Sequence, residues 1–318
     1  MNEITNATTV PAFFPGFRRL DAEVDGARFA GVTGGSGPPV LLLHGYPQTH
    51  IAWRKIAPHL AQSYTLVVPD LPGYGASRLE AMQPRWTKRR VSAALVALMR
   101  SLGHHRFAVV GHDRGARVGY RLALDYPDAV AAFSSLAVVP TLDAMSAVDY
   151  GFAKKNFHWF LFVQDADLPE RLLTAASDAF IDQALATMAG GLEKVDPVAL
   201  DAYRLAFRDP AVRHAICEDY RAAMNEDLEL DATDRAQGRK LSCPVQVLWP
   251  AAQTRRGSPN PIAIWSRWAN DVIGATTSGG HLQPEDAPDE VLDSLYPFLS
   301  SCLNDGLWRR RRAVSSKQ

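Results

Sequence analysis

Residues 109–117, Val-Val-Gly-His-Asp-Arg-Gly-Ala-Arg, run from an apolar strand signal through Gly-x-Asp-x-Gly into a helical pattern. This is the spacing of a nucleophile elbow, with aspartate in the position a serine would take. Two glycines suit a strand-to-helix turn that is tight and crowded, and the turn lifts Asp113 clear of the strands beside the helix N-terminus. A carboxylate nucleophile attacks saturated carbon or opens an epoxide, whereas serine cleaves acyl groups, so displacement chemistry is expected. The plainer reading, in which Asp113 only caps the following helix, leaves the residues around it without a role. Arg114 and Arg117 stand three apart on one helical face, where they could grip a planar anionic group, most naturally a substrate carboxylate. A surface arginine pair salt-bridged to the lid is the alternative.

Two further windows carry chemistry. His44-Gly45-Tyr46-Pro47 follows the apolar run 39–43, and a chain reversal there can expose the N–H of Tyr46. With the N–H of Arg114 it would form an oxyanion hole. Late in the chain, Gly279-Gly280-His281 precedes an amphipathic segment at 290–299. His281 suits a general base that activates water.

These residues need a scaffold. Strand-sized apolar runs recur at 39–43, 65–68, 107–110, 136–139 and 245–249, as in a parallel sheet covered on both faces. Helix-length amphipathic segments such as 89–102 and 117–125 alternate with them, which predicts an α/β fold. Between about residues 142 and 237 no strand-like run occurs. Asp196-Pro197 and Asp209-Pro210 mark helix starts there, an N-cap acid followed by proline at the first helical position. The expected organisation is a first core part at 1–141, an all-helical lid at 142–238, a second core part at 239–303 and a basic tail at 304–318 containing Arg309 to Arg312. The lid should sit over the carboxyl ends of the strands.

Composition narrows the partners. The 318 residues are 47% hydrophobic and 21% charged, and Lys plus Arg equal Asp plus Glu at 34 each. A net charge of zero gives no bulk attraction to nucleic acid or anionic membrane. Cys217, Cys243 and Cys302 have no paired spacing, which argues against a disulfide framework and a zinc site. No phosphate-binding glycine loop is visible, and neither metal nor organic cofactor is expected. The N-terminal residues lack a signal-peptide pattern and no apolar run could span a bilayer, so a cytoplasmic protein is expected.

Taken together, His44-Gly45-Tyr46-Pro47-Gln48-Thr49-His50, Asp70-Leu71-Pro72-Gly73-Tyr74-Gly75-Ala76-Ser77, the Gly111 to Arg117 elbow, Pro140-Thr141, Phe157-His158-Trp159-Phe160, Cys217-Glu218-Asp219-Tyr220-Arg221 and Gly280-His281 resemble the haloacetate (fluoroacetate) dehalogenase branch of the α/β-hydrolase superfamily. The likeness spans about residues 17–299. It implies an α/β-hydrolase fold with a mostly parallel sheet, helices on both faces and an inserted helical lid. It also implies that Asp113 displaces halide from the α-carbon of a small 2-haloacid, that Arg114 and Arg117 hold the carboxylate, and that His158, Trp159 and Tyr220 donate hydrogen bonds to the departing halide. Those donors make physical sense, because fluoride is a poor leaving group whose developing charge needs several N–H and O–H groups in a dry pocket. Without the resemblance, all three are polar-tipped aromatics that packing alone would explain. Enzymes of this kind commonly dimerise, so a homodimer is compatible with it.

The chain departs from that pattern where the acid of the triad belongs. Ala137 occupies the position in Leu136-Ala137-Val138-Val139-Pro140-Thr141, and the alternative window, Trp249-Pro250-Ala251-Ala252-Gln253-Thr254, holds no carboxylate. An acid fixes the tautomer of the base and stabilises its protonated form, so its loss should slow ester hydrolysis and spare the first displacement. A two-speed enzyme is expected, unless Asp143, Asp149, Asp271 or Glu285 substitutes. Met188 stands where such enzymes tend to carry a lid tryptophan, which loosens or enlarges the pocket. The alternatives are an epoxide hydrolase, drawing on Tyr150, Tyr203 or Tyr220, and a catalytically weakened paralogue that binds a small carboxylate.

Overall fold

Strand β1 (Arg18–Val24) turns through Asp25 and Gly26, both at positive φ, into antiparallel β2 (Ala27–Gly34). Asp-Gly is the pair a tight hairpin turn of that hand favours. The computed structural model that contains this hairpin describes residues 13–253 and 260–304. β2 pairs antiparallel with β4 (Thr65–Pro69), and the short β5 (Arg78–Leu79) attaches to β2. From there every pairing is parallel: β4 with β3 (Pro39–Leu43), then β6 (Phe107–His112), β7 (Val130–Leu136), β8 (Val245–Pro250) and β9 (Val272–Thr277). Every residue of β3, β6 and β7 is buried, as strands covered on both faces must be. Helix α1 (Lys88–Ser101) packs beside α2 (Arg114–Asp125), which lies on β6 and β7.

The strand expected at 136–139 lies earlier. β7 ends at Leu136, and Ser134 and Ser135 in its middle hid it from a search for apolar runs. Both hydroxyls are satisfied inside the sheet layer, Ser134 with Gln246 Oε1 at 3.0 Å and Ser135 with the Val138 carbonyl at 3.3 Å. α2 likewise begins at Arg114 rather than 117, because the helix starts directly at the elbow.

Between β7 and β8 lie eight helices: α3 (Thr141–Ser146), α4 (Tyr150–Lys155), α5 (Phe157–Phe162), α6 (Leu168–Ala175), α7 (Ser177–Ala189), α8 (Pro197–Phe207), α9 (Pro210–Met224) and α10 (Glu226–Ala236). Asp196 caps α8 by accepting from the N–H groups of Val198 and Ala199, and Asp209 caps α9 through Ala211. Gly190, in the left-handed conformation, ends α7. Buried polar groups fasten this layer to the core. Arg121 of α2 reaches Asp231 at 2.9 Å and Asp234 at 2.5 Å on α10. Glu285 accepts from Gln48 at 2.7 Å, from Arg54 at 3.0 Å and from the Tyr203 hydroxyl of α8. The arginines 309–312 lie outside the described residues.

Candidate active site

The turn between β6 and α2 places Asp113 at φ 50°, ψ −115°, a conformation held by the packing around it. A Cβ on Gly111 would come within 2.5 Å of the Ala116 Cα, and one on Gly115 within 2.3 Å of the Leu43 carbonyl oxygen, so only glycine fits at either position. The Asp113 side chain makes no capping bond to α2. Its Oδ1 accepts the Tyr46 N–H at 3.0 Å, and its Oδ2 lies 3.3 Å from His281 Nε2. Burial by itself would raise its pKa. The hydrogen bond and charge of His281, with His112 and Arg114 nearby, reverse this and hold the carboxyl ionised, far below the usual carboxylate range.

His281 is fixed through its main chain on two sides. Its N–H donates to the Met188 carbonyl at the end of α7, 3.1 Å away, and its carbonyl accepts from His112 Nε2 at 2.7 Å. His112 is wholly buried, and burial lowers its pKa to about 4, so the ring is neutral and donates from Nε2. The other side of the His281 ring meets an amide: Gln253 Nε2 is 3.1 Å from Nδ1. Gln253 lies in the segment 249–254 that holds no carboxylate, and a neutral side chain there does not announce a partner for the base. Three of the four substitute acids are engaged elsewhere and the fourth is exposed. Asp143 accepts from Trp268 at 2.6 Å and Arg267 at 3.1 Å, Asp149 caps α4, Asp271 is exposed, and Glu285 is held as described. Ala137 is buried at φ 66°.

An amide can serve the ring in two ways. If its NH2 donates to Nδ1, the ring proton sits on Nε2 and points at Asp113. If its oxygen accepts from Nδ1–H, Nε2 carries the lone pair that a base needs. A carboxylate would enforce the second arrangement alone.

Arg114 and Arg117 occupy different environments. Arg114 is fully buried, donates from Nε to Asp219 Oδ2 at 2.6 Å and from Nη2 to the Asp219 carbonyl at 2.8 Å, and lies 4.1 Å above the Tyr220 ring. Burial opposes its charge, but Asp219 outweighs burial and its pKa is raised. Lys88 and the Tyr74 hydroxyl also converge on Asp219. Asp219 falls within Cys217-Glu218-Asp219-Tyr220-Arg221, but its residue type does not announce that it anchors Arg114. Arg117 donates from Nη1 to the Val139 carbonyl at 3.1 Å and to Thr141 Oγ1 at 3.0 Å. Among the described residues, Arg114 Nη1 and Arg117 Nε are buried without a partner. Arg117 lines the cavity, whereas Arg114, held by Asp219, is not among its lining residues.

His158, Trp159 and Tyr220 come together. The Tyr220 ring centroid is 5.6 Å from that of His158 and 5.1 Å from that of Trp159, and Tyr46 stacks on His158 at 5.2 Å. Burial lowers the His158 pKa to about 4, so at neutral pH it offers one N–H and no charge. Asp113, Arg117, His158, Trp159 and His281 all line a cavity of about 290 Å³, and Tyr220 is not among its lining residues. Among the described residues no cluster of His, Cys, Asp and Glu could hold a metal ion, and no helix is long and apolar enough to cross a membrane.

Residues 38–242 match the family described as alpha/beta hydrolase fold. The chain belongs to that family. This α/β-hydrolase is 38% identical to a fluoroacetate dehalogenase from Burkholderia sp over 95% of its own length and 100% of the relative. It is 30% identical to a soluble epoxide hydrolase from Corynebacterium sp. (strain C12), over 88% and 96% of the two chains. Among solved structures, a provisionally named epoxide hydrolase from Pseudomonas aeruginosa is similar at 52% identity and TM-score 0.88, covering 92% of the hydrolase and 98% of that chain. A mutant of that Pseudomonas protein has been solved with bound MFA.

Proposed function

We propose that this hydrolase removes halide from a small 2-haloalkanoate through a covalent ester on Asp113. The observation that carries the reading is an ionised aspartate at the elbow, opening on the same cavity as an arginine whose Nε has no partner. A substrate carboxylate held by Arg117, with Arg114 reinforcing the positive field, brings the α-carbon over Asp113. An Asp113 oxygen gives its electron pair to that carbon as the carbon–halogen bond breaks, and the halide leaves with the bonding pair toward His158, Trp159 and Tyr220. His281 then takes a proton from water, and the hydroxide adds to the Asp113 carbonyl carbon. The oxyanion formed is stabilised by the N–H groups of Tyr46 and Arg114. Collapse expels the 2-hydroxy acid, whose alkoxide oxygen takes the proton back from His281, and the Asp113 carboxyl then loses its own proton to solvent.

Gln253 bears on the second half only. A neutral partner neither fixes the productive tautomer nor stabilises the imidazolium, and the comparable loss of charge in a triad slows turnover by about 10⁴. The ester should therefore form quickly and persist. The competing epoxide reading has support from the relatives, but an opening epoxide needs two lid tyrosines. Tyr203 is committed to Glu285 and Tyr150 is 82% exposed, which leaves Tyr220.

The deciding experiment is intact-mass spectrometry before and after incubation with chloroacetate and with fluoroacetate, paired with halide release. A carboxymethyl-sized adduct on Asp113 with about one halide per enzyme supports the reading and its slow second step. Many turnovers without an adduct would refute the slow step. Neither adduct nor halide from these acids or from longer 2-haloalkanoates would refute dehalogenation and favour the weakened paralogue that only binds a carboxylate.

A further inference from the structure

We infer that the substrate carries an apolar substituent of about four to six carbons on the halogen-bearing carbon; this rests on the dehalogenase reading above. A haloacetate ion has five non-hydrogen atoms. The cavity measures about 290 Å³, room for roughly ten water-sized groups at about 30 Å³ each, so a haloacetate leaves about half of it empty. The cavity's lining is mostly apolar, although Asp143, Lys155, Gln183 and Thr187 also border it. Away from Asp113 and Arg117 its walls include Ala137, Ala144, Phe180, Ala184, Met188 and Ile264, from the end of β7, from α3 and α7 of the lid, and from the short helix before β9.

The two departures in the sequence act on this same space. Ala137 and Met188 both line it: a methyl group stands where the resemblance implies an acid, and a flexible thioether where it implies an indole. Water confined against such walls has few partners, and displacing it by methylenes is favourable. A short acid would also be poorly confined, since only its carboxylate is gripped and its α-carbon can drift from Asp113. A longer acid fills the limb and is held at both ends.

The bond changes are those already given, with inversion at a secondary carbon: Asp113 oxygen to carbon forms, carbon–halogen breaks, and water supplies the oxygen that later restores Asp113. The test measures the second-order rate of first halide release for chloroacetate, 2-chloropropanoate and 2-chlorohexanoate. The last two share a secondary carbon and leaving group and differ by three methylenes. Burial of those methylenes should make 2-chlorohexanoate faster by about thirtyfold or more. Met188→Trp should remove most of that ratio, and Ala184→Leu, a smaller intrusion, should reduce it. A ratio of one or less in the unmodified enzyme, with halide still released from chloroacetate, overturns the inference and leaves the dehalogenase reading standing. An unchanged ratio in both variants also overturns it. Halide from none of the acids removes the reading itself, and the inference with it.

Discussion

Replacing Gln253 with glutamate should accelerate hydrolysis of the Asp113 ester while leaving its formation nearly unchanged. The two side chains are isosteric, so the carboxylate would stand where the amide now sits, 3.1 Å from His281 Nδ1. Unit charges about 4 Å apart interact by ~4 kcal/mol at an effective dielectric of 20, which corresponds to about three orders of magnitude in rate. Gln253 is partly exposed, and solvent screening reduces this, so an acceleration of about 10²–10³ is expected. Loss of charge in a working triad costs about 10⁴ and sets the ceiling. The assay is quenched-flow intact mass with halide counting. The unmodified enzyme should hold most of its molecules as ester at steady state after a burst of one halide, whereas Gln253→Glu should show a small ester fraction and sustained turnover. If Gln253→Glu left the decay of the ester unchanged, or if the unmodified enzyme never accumulated one, the tautomer argument would be refuted.

Other outcomes follow from the same geometry. Arg117→Met should raise the KM for a haloacid at least a hundredfold and spare the fold, since it removes the cavity's unpartnered guanidinium N–H and its charge; circular dichroism and steady-state kinetics check this. In a single turnover in ¹⁸O-water the hydroxy acid should carry ordinary oxygen from Asp113, and label should enter the product only in later turnovers, read by mass spectrometry. His158 has its pKa lowered from 6.5 to about 4, so between those values the unfolded chain binds a proton that the folded one refuses. Its contribution to stability is intact above pH 6.5 and falls as the pH drops toward 4, by about 3 kcal/mol. Asp227 and Asp286, both raised to about 6, act in the opposite direction over that window, so the difference between the unmodified protein and His158→Gln must be measured, by urea unfolding at pH 7 and pH 5. A pH-independent difference would refute it.

The chemistry was more legible in the sequence than its supports were. A strand, two glycines and an acid between them point to a presented side chain, and the close approaches at Gly111 and Gly115 show why glycine is needed at both positions. β7 was misplaced because its two serines break the apolar run, although each finds a partner inside the sheet layer. Strand β1 carries its polar residues mostly exposed and gave no continuous apolar signal. Gln253 and Asp219 were invisible for a different reason. Each acts through a contact across more than twenty residues of sequence, and neither residue type announces that contact. The separate fates of the arginines belong here too: helical spacing puts Arg114 and Arg117 on one face, but only the arrival of α9 decides that Arg114 is consumed by Asp219 while Arg117 faces the cavity.

The bond from the His281 N–H to the Met188 carbonyl joins the base to the last turn of α7. Were α7 to swing outward to admit substrate or release product, it would take with it one of the two anchors that hold the base's backbone. Access and proton abstraction then draw on a single equilibrium, and bulk water that enters an opened cavity meets a base no longer aimed at the ester. Substitutions far out on the helical layer that favour opening would present as defects in the pH profile of hydrolysis, with halide displacement untouched.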